Sequence, residues 1–393
     1  MSASPAIAAG VVAAAAAAVV RMRTVDTSGV QLLHAPRTAA VNDKTLLDVL
    51  GACPSLSDPS ARFVPSALLP TADLQTCYNA LAQRLGGPKL VAYERELILT
   101  PDGGTLGLDW APSFASVPPD DRPVVLVAHG LSGGSHEAYV QSTVARLISA
   151  PYALRVVVVN FRGCAGVKLT SHVLYNAGAT GDFALAVEHV QNRLPGAKMV
   201  AVGYSLGANL VTKYAGELGA RCPLKGVVSV GNPYDLAASS DAIDEPTLRN
   251  RFVYVPAMLQ GLLRLYRRHR KMIESGPVQL DTQAISRITT IRQFDDLITA
   301  RLFGYRDAAD YYEQNSSVHF MPDIRVPYLA ITALDDPVCP EQYVPRDIFR
   351  SNPYLVLALT RFGGHLGFHE SPGCCWLPRP IAEFCSAIFS HSA

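Results

Sequence analysis

The stretch of sequence that decides the fold is VGYSLG, at residues 202–207. Residues 199–202 lead into it as a continuous apolar run, which is typical of a parallel strand covered on both faces. Residues 208–214 follow with the spacing of a helix. Between them, G-x-S-x-G predicts a turn so sharp that the backbone of Ser205 is strained and glycine is needed on either side. The pattern also suits an ordinary glycine-rich turn, so a nucleophilic Ser205 requires a base, an acid and oxyanion donors elsewhere in the chain.

The composition limits the class of protein. The chain has 393 residues, 49% hydrophobic and 17% charged, which indicates a core-rich globular protein with one large α/β domain or two smaller ones. The formal net charge of +1 gives no reason to expect a nucleic-acid partner. The eight cysteines show neither C-x-x-C nor zinc spacing with histidine, and Cys374 and Cys375 are adjacent. We therefore predict no metal site, and free, mostly buried thiols in a reducing compartment.

Apolar runs alternate with helical patterns from residue 124 onward. Before them, residues 93–99 and 105–110 alternate between apolar and polar around a PDGG turn, which predicts an antiparallel hairpin. The predicted strands are 124–128, 156–159, 199–202, 226–230, 328–332 and 354–359, and the predicted helices are 136–149, 180–193, 206–218 and 379–390. Such alternation implies right-handed crossovers and a parallel sheet. A hairpin leading into a mostly parallel central sheet, with helices on both faces, predicts an α/β-hydrolase fold.

The predicted core of this fold comprises residues 91–231 and 323–393. Residues 24–65 contain four prolines and no long period, so residues 24–90 are predicted as an irregular N-terminal extension. No G-x-G-x-x-G follows the first parallel strand, which argues against a dinucleotide-dependent enzyme, and we predict no cofactor.

Residues 232–322 interrupt the alternation, and we predict that they form a helical lid over the site. This insertion carries a basic, amphipathic stretch at residues 262–271. A solvated helix face is the alternative interpretation. A lid with apolar and cationic sides suits substrates with an acyl chain and an anionic head, or a membrane surface.

An acid for the site is predicted in the loop after the 328–332 strand. Asp335 and Asp336 stand there, at the carboxyl end of a parallel strand, from which a side chain reaches the same crevice as Ser205. Asp336, directly before a proline, is our first choice and Asp335 the alternative. Either aspartate would also suit an Asx-turn ahead of the proline.

The base is predicted in the glycine-rich loop after the last strand. His365 follows Gly363 and Gly364, and a flexible loop there lets the imidazole reach Ser205 while Nδ1–H is kept for the aspartate. The chain order serine, acid, histidine is the order that this mechanism has in the fold. His369 is the weaker candidate because residues 367–368 displace it from the loop.

Two backbone amides are predicted as oxyanion donors. One belongs to Leu206, directly after the nucleophile, and the other to Leu131, in the loop that follows the 124–128 strand. Gly130 in this loop permits close approach of the backbone. His129 could be mistaken for a base, but we interpret it as a structural residue that shapes the loop.

Several segments, taken together, resemble one branch of the α/β-hydrolases. It includes the mammalian ABHD1- and ABHD3-like lipid hydrolases, the plant embryo-abundant proteins and the fungal medium-chain fatty acid ester synthase/esterases. The matching segments are LQT at 74–76, ELILTPDGG at 96–104, HGL at 129–131, NFRG at 160–163, GYSLGAN at 203–209, FD at 294–295, GY at 304–305, YY at 311–312, SS at 316–317, DDP at 335–337 and GGH at 363–365. The resemblance covers residues 66–390 and implies Ser205, Asp336 and His365 as the catalytic triad.

The resemblance implies a serine esterase or lipase, a carboxylic ester hydrolase, that acts on medium-chain acyl esters such as glycerides, phospholipids or ethyl esters. The alternative is an alcohol O-acyltransferase, in which an alcohol instead of water takes the acyl group from Ser205. A non-catalytic small-molecule receptor on the same fold is a third reading, which the presence of every triad member disfavours.

The N-terminal residues 1–23 allow several interpretations. Residues 5–20 are uncharged and apolar but shorter than the roughly 20 apolar residues that a spanning helix needs. A short membrane anchor, an organellar presequence and a disordered alanine-rich tail all remain open. Because relatives in the branch carry an anchor helix, the resemblance favours membrane association, with a membrane or lipid-droplet surface as a partner and the cytoplasmic or organellar face undecided.

Overall fold

A computed structural model describes residues 29–36, 44–84 and 89–391 of the chain. Nine strands form one sheet in the order β1-β9-β8-β7-β6-β4-β5-β3-β2, and a short two-stranded ribbon, β10-β11, lies outside it. The strands are β1 Gln31–His34, β2 Glu94–Leu99, β3 Thr105–Ala111, β4 Val124–Ala128, β5 Arg155–Asn160, β6 Met199–Tyr204, β7 Gly226–Val230, β8 Tyr328–Ala333, β9 Leu355–Thr360, β10 His369–Ser371 and β11 Cys374–Cys375.

The α-helices of the described residues cover both faces of this sheet. They are α1 Lys44–Gly51, α2 Pro54–Ser57, α3 Ala72–Arg84, α4 Ala138–Ile148, α5 Thr180–Arg193, α6 Leu206–Leu218, α7 Leu236–Asp244, α8 Val255–Glu274, α9 Thr282–Ile285, α10 Ile291–Phe294, α11 Ala300–Phe303, α12 Ala308–Asn315, α13 Arg346–Ser351 and α14 Pro378–His391. One core holds the apolar faces of α5 and α6, and a second core, on the other side of the sheet, holds those of α4 and α14.

The prediction of an α/β-hydrolase fold is confirmed. Strands β4 to β9 are parallel, and β2 and β3 form the predicted antiparallel hairpin at one edge. Every residue of β4 to β9 is buried, which explains why these strands read as unbroken apolar runs. The parallel strands that position the site were therefore visible in the sequence.

The direction in which the chain adds strands to the sheet reverses at β4. This strand pairs with β5 on one side and with β6 on the other. In open α/β sheets a crevice forms at such a switch point, beyond the carboxyl ends of the strands. The loop after β4 and the turn after β6 both end at this crevice.

Residues 24–90, predicted as an irregular extension, contain the regular elements β1, α1, α2 and α3 where the structure describes them. Strand β1 extends the sheet antiparallel to β9, with Gln31 opposite Leu359, and so covers its edge. Helices α1 and α2 pack on α14, where the Ser55 amide and hydroxyl both donate to the Glu383 carboxylate. These elements are short and amphipathic, and would be unstable alone, so their folding depends on packing against β9 and α14.

The insertion between β7 and β8 is helical. It contains α7 to α12, together with π-helical turns at Asn250–Tyr254 and Asp295–Thr299. The predicted basic stretch at 262–271 lies on α8, where Leu262 and Leu265 are buried, the arginine and lysine side chains are exposed and His269 is half-buried. The division of the chain into core, extension and lid stays a prediction.

Within the described residues, no helix combines the length and the apolarity that crossing a membrane requires. The apolar residues 1–23, predicted as an anchor or presequence, lie outside these residues. All eight cysteines are described and unpaired, and Cys53, Cys164, Cys339 and Cys385 are buried.

Candidate active site

Ser205 occupies a strained turn between β6 and α6. Its backbone has φ 52° and ψ −118°, a conformation that residues other than glycine rarely adopt. A Cβ at Gly203 would lie 2.3 Å from the carbonyl oxygen of Gly207, and one at Gly207 would lie 2.4 Å from that of Ala128. The turn therefore requires glycine at both flanking positions, and the amide of Ser205 is fixed by a 2.9 Å bond to the Val230 carbonyl.

Two further side chains form a hydrogen-bonded chain with Ser205. His365 Nε2 lies 2.9 Å from Ser205 Oγ, and His365 Nδ1 lies 2.9 Å from Asp336 Oδ2. With the proton on Nδ1, the imidazole donates to the carboxylate and accepts from the serine hydroxyl. This arrangement lets the imidazole take a proton from Ser205 while the aspartate stabilises the resulting charge.

The two neighbouring aspartates have different partners. Asp336 Oδ1 accepts from the amides of Val338 and Cys339, both at 2.8 Å, which leaves Oδ2 for the histidine. Its side chain is only 1% exposed. Asp335 instead accepts from the Gly364 amide at 2.9 Å, and burial raises its pKa to about 6. Asp336 contacts the imidazole, whereas Asp335 holds the backbone of the loop that carries it.

Helix α3 also holds the histidine loop, a contact that sequence reasoning missed. The amide of His365 donates to Thr76 Oγ1 at 2.8 Å, and the Thr76 hydroxyl donates to the Ala72 carbonyl. Asn79 Nδ2 donates to the Leu366 carbonyl at 2.7 Å. The backbone of the loop after β9 is thus fixed by a helix almost 300 residues earlier in the chain.

The closeness of this contact explains the glycines of the histidine loop. A Cβ at Gly364 would lie 2.5 Å from the Ala72 carbonyl oxygen, and one at Gly367 would lie 2.7 Å from the backbone of Gln75. The LQT segment at 74–76, for which the sequence suggested no role, supplies Gln75, which meets Gly367, and Thr76, which accepts from the His365 amide. The backbone carbonyl of His369 accepts a hydrogen bond from the Gln75 side chain. Among the described contacts, none joins His369 to Ser205.

The two residues predicted to supply oxyanion amides both belong to the lining of the pocket at Ser205. Leu206 is the first residue of α6, and the first amides of a helix have no partner inside it. In the loop after β4, the amides of Gly130 and Ser132 donate to the hydroxyls of Tyr139 and Tyr175. Leu131 and Leu206 both line the pocket that contains Ser205. Both amides thus belong to residues that an acyl group in the pocket would meet.

His129 has a structural environment. It is fully buried, its Nδ1 lies 2.8 Å from the Gly130 carbonyl, and its ring packs on Phe161 at 4.2 Å between centroids. Burial lowers its pKa to about 4, so the imidazole is neutral near pH 7. It shapes the loop and faces no proton that the site needs to move.

An apolar pocket opens at Ser205. It encloses about 960 Å³, its open mouth included. The insertion supplies most of the lining, with Leu262, Phe294, Ile298 and Leu302 among the apolar side chains. The shape and lining suit an acyl chain whose carbonyl carbon reaches Ser205.

One carboxyl group, that of Asp295, lies in this mostly apolar lining. Asp295 starts a π-helical turn, accepts from the Thr299 hydroxyl at 2.7 Å and from the Tyr312 hydroxyl at 2.7 Å. Burial raises its pKa to about 6. These bonds tie α12 to the turn that follows α10 and so fix one wall of the pocket.

Within the described part of the chain, one group of three potential metal ligands comes together. Asp336, Cys339 and His365 place donor atoms within 4.8 Å of one another. Both nitrogens of His365 are already hydrogen-bonded, and Cys339 Sγ donates to the Gly231 carbonyl. The group is a hydrogen-bonded relay with no free imidazole nitrogen to offer an ion.

Comparison with known proteins identifies the family. A family model described as the alpha/beta hydrolase fold matches residues 123–370, so the chain belongs to the α/β-hydrolase family. The chain is 38% identical over 268 residues to the monoacylglycerol lipase of Saccharomyces cerevisiae, covering 67% of this chain and 59% of that protein.

Two further relatives confirm the branch predicted from the sequence. Phospholipase ABHD3 of Mus musculus is 32% identical over 327 residues, which cover 80% of this chain and 78% of that protein. Medium-chain fatty acid ethyl ester synthase/esterase 2 of Saccharomyces cerevisiae is 32% identical over 283 residues, covering 67% of this chain and 62% of that protein.

Proposed function

We propose that this protein is a serine hydrolase that cleaves medium-chain acyl esters of lipids through an acyl-enzyme on Ser205. The observation that carries the proposal is the relay of two 2.9 Å hydrogen bonds from Ser205, which lines an apolar pocket, through His365 to Asp336. Relatives named as a lipase, a phospholipase and an esterase agree with a carboxylic ester hydrolase.

In the proposed first half-reaction, Ser205 Oγ attacks the acyl carbonyl carbon while His365 Nε2 takes the hydroxyl proton. The amides of Leu131 and Leu206 stabilise the negative charge that develops on the carbonyl oxygen. The tetrahedral intermediate then collapses, His365 returns the proton to the leaving alcohol, and the acyl group stays on the serine.

In the second half-reaction, water attacks the acyl-enzyme and His365 again acts as the base. Asp336 stays ionised throughout and keeps the imidazole in the tautomer that both steps need. The fatty acid leaves and Ser205 is regenerated.

The pocket supports an acyl chain as the part of the substrate that is bound. Aliphatic and aromatic side chains of α8, α10 and α11 form a continuous apolar wall, so each methylene that enters is removed from water. Burial of a methylene contributes about 0.8 kcal/mol, so the length of the pocket selects for chain length.

A fluorophosphonate probe tests the proposal directly. The wild type should be labelled, and Ser205→Ala should not, because the probe reacts with a serine that an adjacent base activates. Ser239→Ala removes another serine hydroxyl of the same pocket and should leave labelling unchanged. Equal labelling of Ser205→Ala would end the proposal, and absence of labelling in the wild type would favour a non-catalytic receptor.

Acyl transfer to an alcohol is the second candidate. The apolar lining limits access of water to the acyl-enzyme, and one relative is named as both a synthase and an esterase. In buffer that contains ethanol, an acyltransferase would turn p-nitrophenyl octanoate mainly into ethyl octanoate. Release of octanoic acid alone would exclude this role under those conditions.

We also propose that the protein works at a lipid surface. The segment 248–253, between α7 and α8, exposes Leu248 by 78% and Phe252 by 67%, and both Arg249 and Arg251 are exposed beside them. Apolar side chains flanked by cations suit an anionic membrane or droplet surface. This segment continues into Tyr254, whose hydroxyl donates to Asp73 at 2.5 Å, on the helix that holds the histidine loop.

A further inference from the structure

A second cleft lies next to the acyl pocket, on the other side of Leu265. It is lined by Ser132, His136, residues 163–166 and, from helix α8, Gly261, Arg264, Leu265 and Arg268. Leu265 lines both spaces. Ser132 lines the cleft and its chain neighbour Leu131 lines the acyl pocket, so the two spaces meet at the predicted oxyanion loop.

Helix α8 is pressed against this loop. A Cβ at Gly261 would lie 2.4 Å from Ser132 Oγ, so any larger residue there would require the serine hydroxyl to move. About two turns further along α8, the ring of His269 lies against Gly163, with Nε2 3.2 Å from its carbonyl oxygen. These two contacts hold α8 against the cleft, and the side chains between Gly261 and His269 therefore have a fixed position along it.

Two of those side chains are guanidinium groups without an acidic partner in the described chain. Arg264 and Arg268 are one helical turn apart and both line the cleft. The ion pair on this helix joins Arg270 to Glu274 at 2.8 Å, and neither Arg264 nor Arg268 has a carboxylate partner among the described residues.

One acid stands near the cleft. Glu137 Oε1 lies 3.6 Å from His136 Nε2. Burial raises the pKa of the Cys164 thiol, Glu137 adds to this effect and Arg268 opposes it. Among the described residues that line the cleft, two are arginines and none is an acid, so the lining carries net positive charge.

Guanidinium groups bind phosphate through charge-assisted and often bidentate hydrogen bonds. We infer that this cleft binds the phosphate-ester anion of a substrate whose acyl chain occupies the pocket at Ser205. This inference rests on the proposed ester hydrolysis and extends it, since it predicts a preference for a phospholipid over a neutral glyceride with the same acyl chains.

The test compares dioctanoyl phosphatidylglycerol with dioctanoylglycerol, both in the same micelles of uncharged detergent. Arg264→Gln combined with Arg268→Gln should raise KM for the phospholipid roughly tenfold or more, because two charge-assisted bonds are lost. KM for dioctanoylglycerol should change less than about twofold. Unchanged kinetics with the phospholipid would overturn the inference, and so would an equal loss with both lipids.

The matched control is Arg267→Gln combined with Lys271→Gln. It removes the same charge from exposed positions of the same helix that do not line the cleft. Both lipids should then be cleaved as by the wild type. If the control variant raised KM for the phospholipid as much as the cleft variant does, the effect would come from the general charge of the helix, and the inference would be overturned.

A binding arm separates the sources of phosphate and does not depend on catalysis. Calorimetry with Ser205→Ala should show binding of glycerol 3-phosphate, or of the intact phospholipid alone, which is lost when Arg264 and Arg268 are also replaced. Binding of glycerol 3-phosphate supports a site for soluble phosphate esters, and binding of the lipid alone supports a headgroup site. Binding of neither would overturn the inference, whereas a wild type that cleaves neither lipid would count against the proposed hydrolase.

Discussion

At the residue scale, the proposed chemistry depends on which of two adjacent carboxylates contacts His365. Asp336 lies 2.9 Å from Nδ1 and has its other oxygen occupied by two amides, so its orientation is fixed. Asp335 bonds to the backbone of Gly364 and has a raised pKa of about 6, caused chiefly by burial. The two adjacent aspartates thus have different proposed roles: Asp336 orients His365, and Asp335 holds the loop that carries it.

Asp336→Asn should lower kcat on p-nitrophenyl octanoate by roughly 10³- to 10⁴-fold, because an asparagine would stabilise the wrong tautomer of His365. Asp335→Asn keeps an oxygen for the Gly364 amide and should retain activity within about fivefold. The measurement is steady-state kinetics, with circular dichroism to establish that both variants fold. A larger loss in Asp335→Asn than in Asp336→Asn would exchange the two roles.

At the scale of elements, helix α3 and the histidine loop form one unit. Thr76 accepts from the amide of His365 at 2.8 Å, and Gly364 and Gly367 allow the helix backbone to approach the loop. The helix touches no atom that reacts, so its contribution is positional: it decides where the imidazole stands relative to Ser205.

Thr76→Val should lower kcat about five- to tenfold with little change in KM, because the loop loses one hydrogen bond and the imidazole its fixed position. Thr76→Ser keeps the hydroxyl and should restore most of the rate. Kinetics together with thermal unfolding check this prediction. If both variants were equally slow, or if slower turnover only followed a lower Tm, Thr76 would have a purely structural role.

At the scale of the whole molecule, the extension and the insertion meet next to the site. Tyr254, directly before α8, bonds to Asp73 at the start of α3. The exposed segment 248–253 therefore lies near the helix that positions His365, and the pocket wall formed by α8 continues from it. A lipid surface that bound this segment would be brought to the pocket and to the proposed relay together.

Leu248→Ser combined with Phe252→Ser should weaken binding to vesicles that contain phosphatidylglycerol by roughly tenfold or more, because two exposed apolar side chains no longer enter the lipid. The control is Leu97→Ser combined with Leu99→Ser, which removes a similarly exposed pair, 59% and 72%, from β2 at the sheet edge. Cosedimentation measures both. An equal loss of vesicle binding in the two variants, or no loss in the first, would show that the segment 248–253 is not the membrane-binding site.

Much of the fold followed from the sequence because the parallel strands are buried on both faces. Strands β4 and β7 and helices α5 and α6 have the predicted bounds, and the other predicted strands and helices differ by one or two residues at one or both ends. Helix α3, helix α13 and the ribbon β10-β11 were not predicted. The short elements before residue 66 were missed, since β1 has four residues and exists only by pairing with β9.

The sequence by itself determined the sharp turn at Ser205, since glycine at 203 and 207 is a local requirement of backbone sterics. It also determined the order in which serine, acid and histidine follow their strands. Only the tertiary structure decided that Asp336 and not Asp335 contacts His365, that α3 holds the histidine loop, and that Arg264 and Arg268 share a cleft with the loop after β4. Those contacts join residues that are distant in the chain, and their distances depend on how the helices pack, which no local pattern specifies.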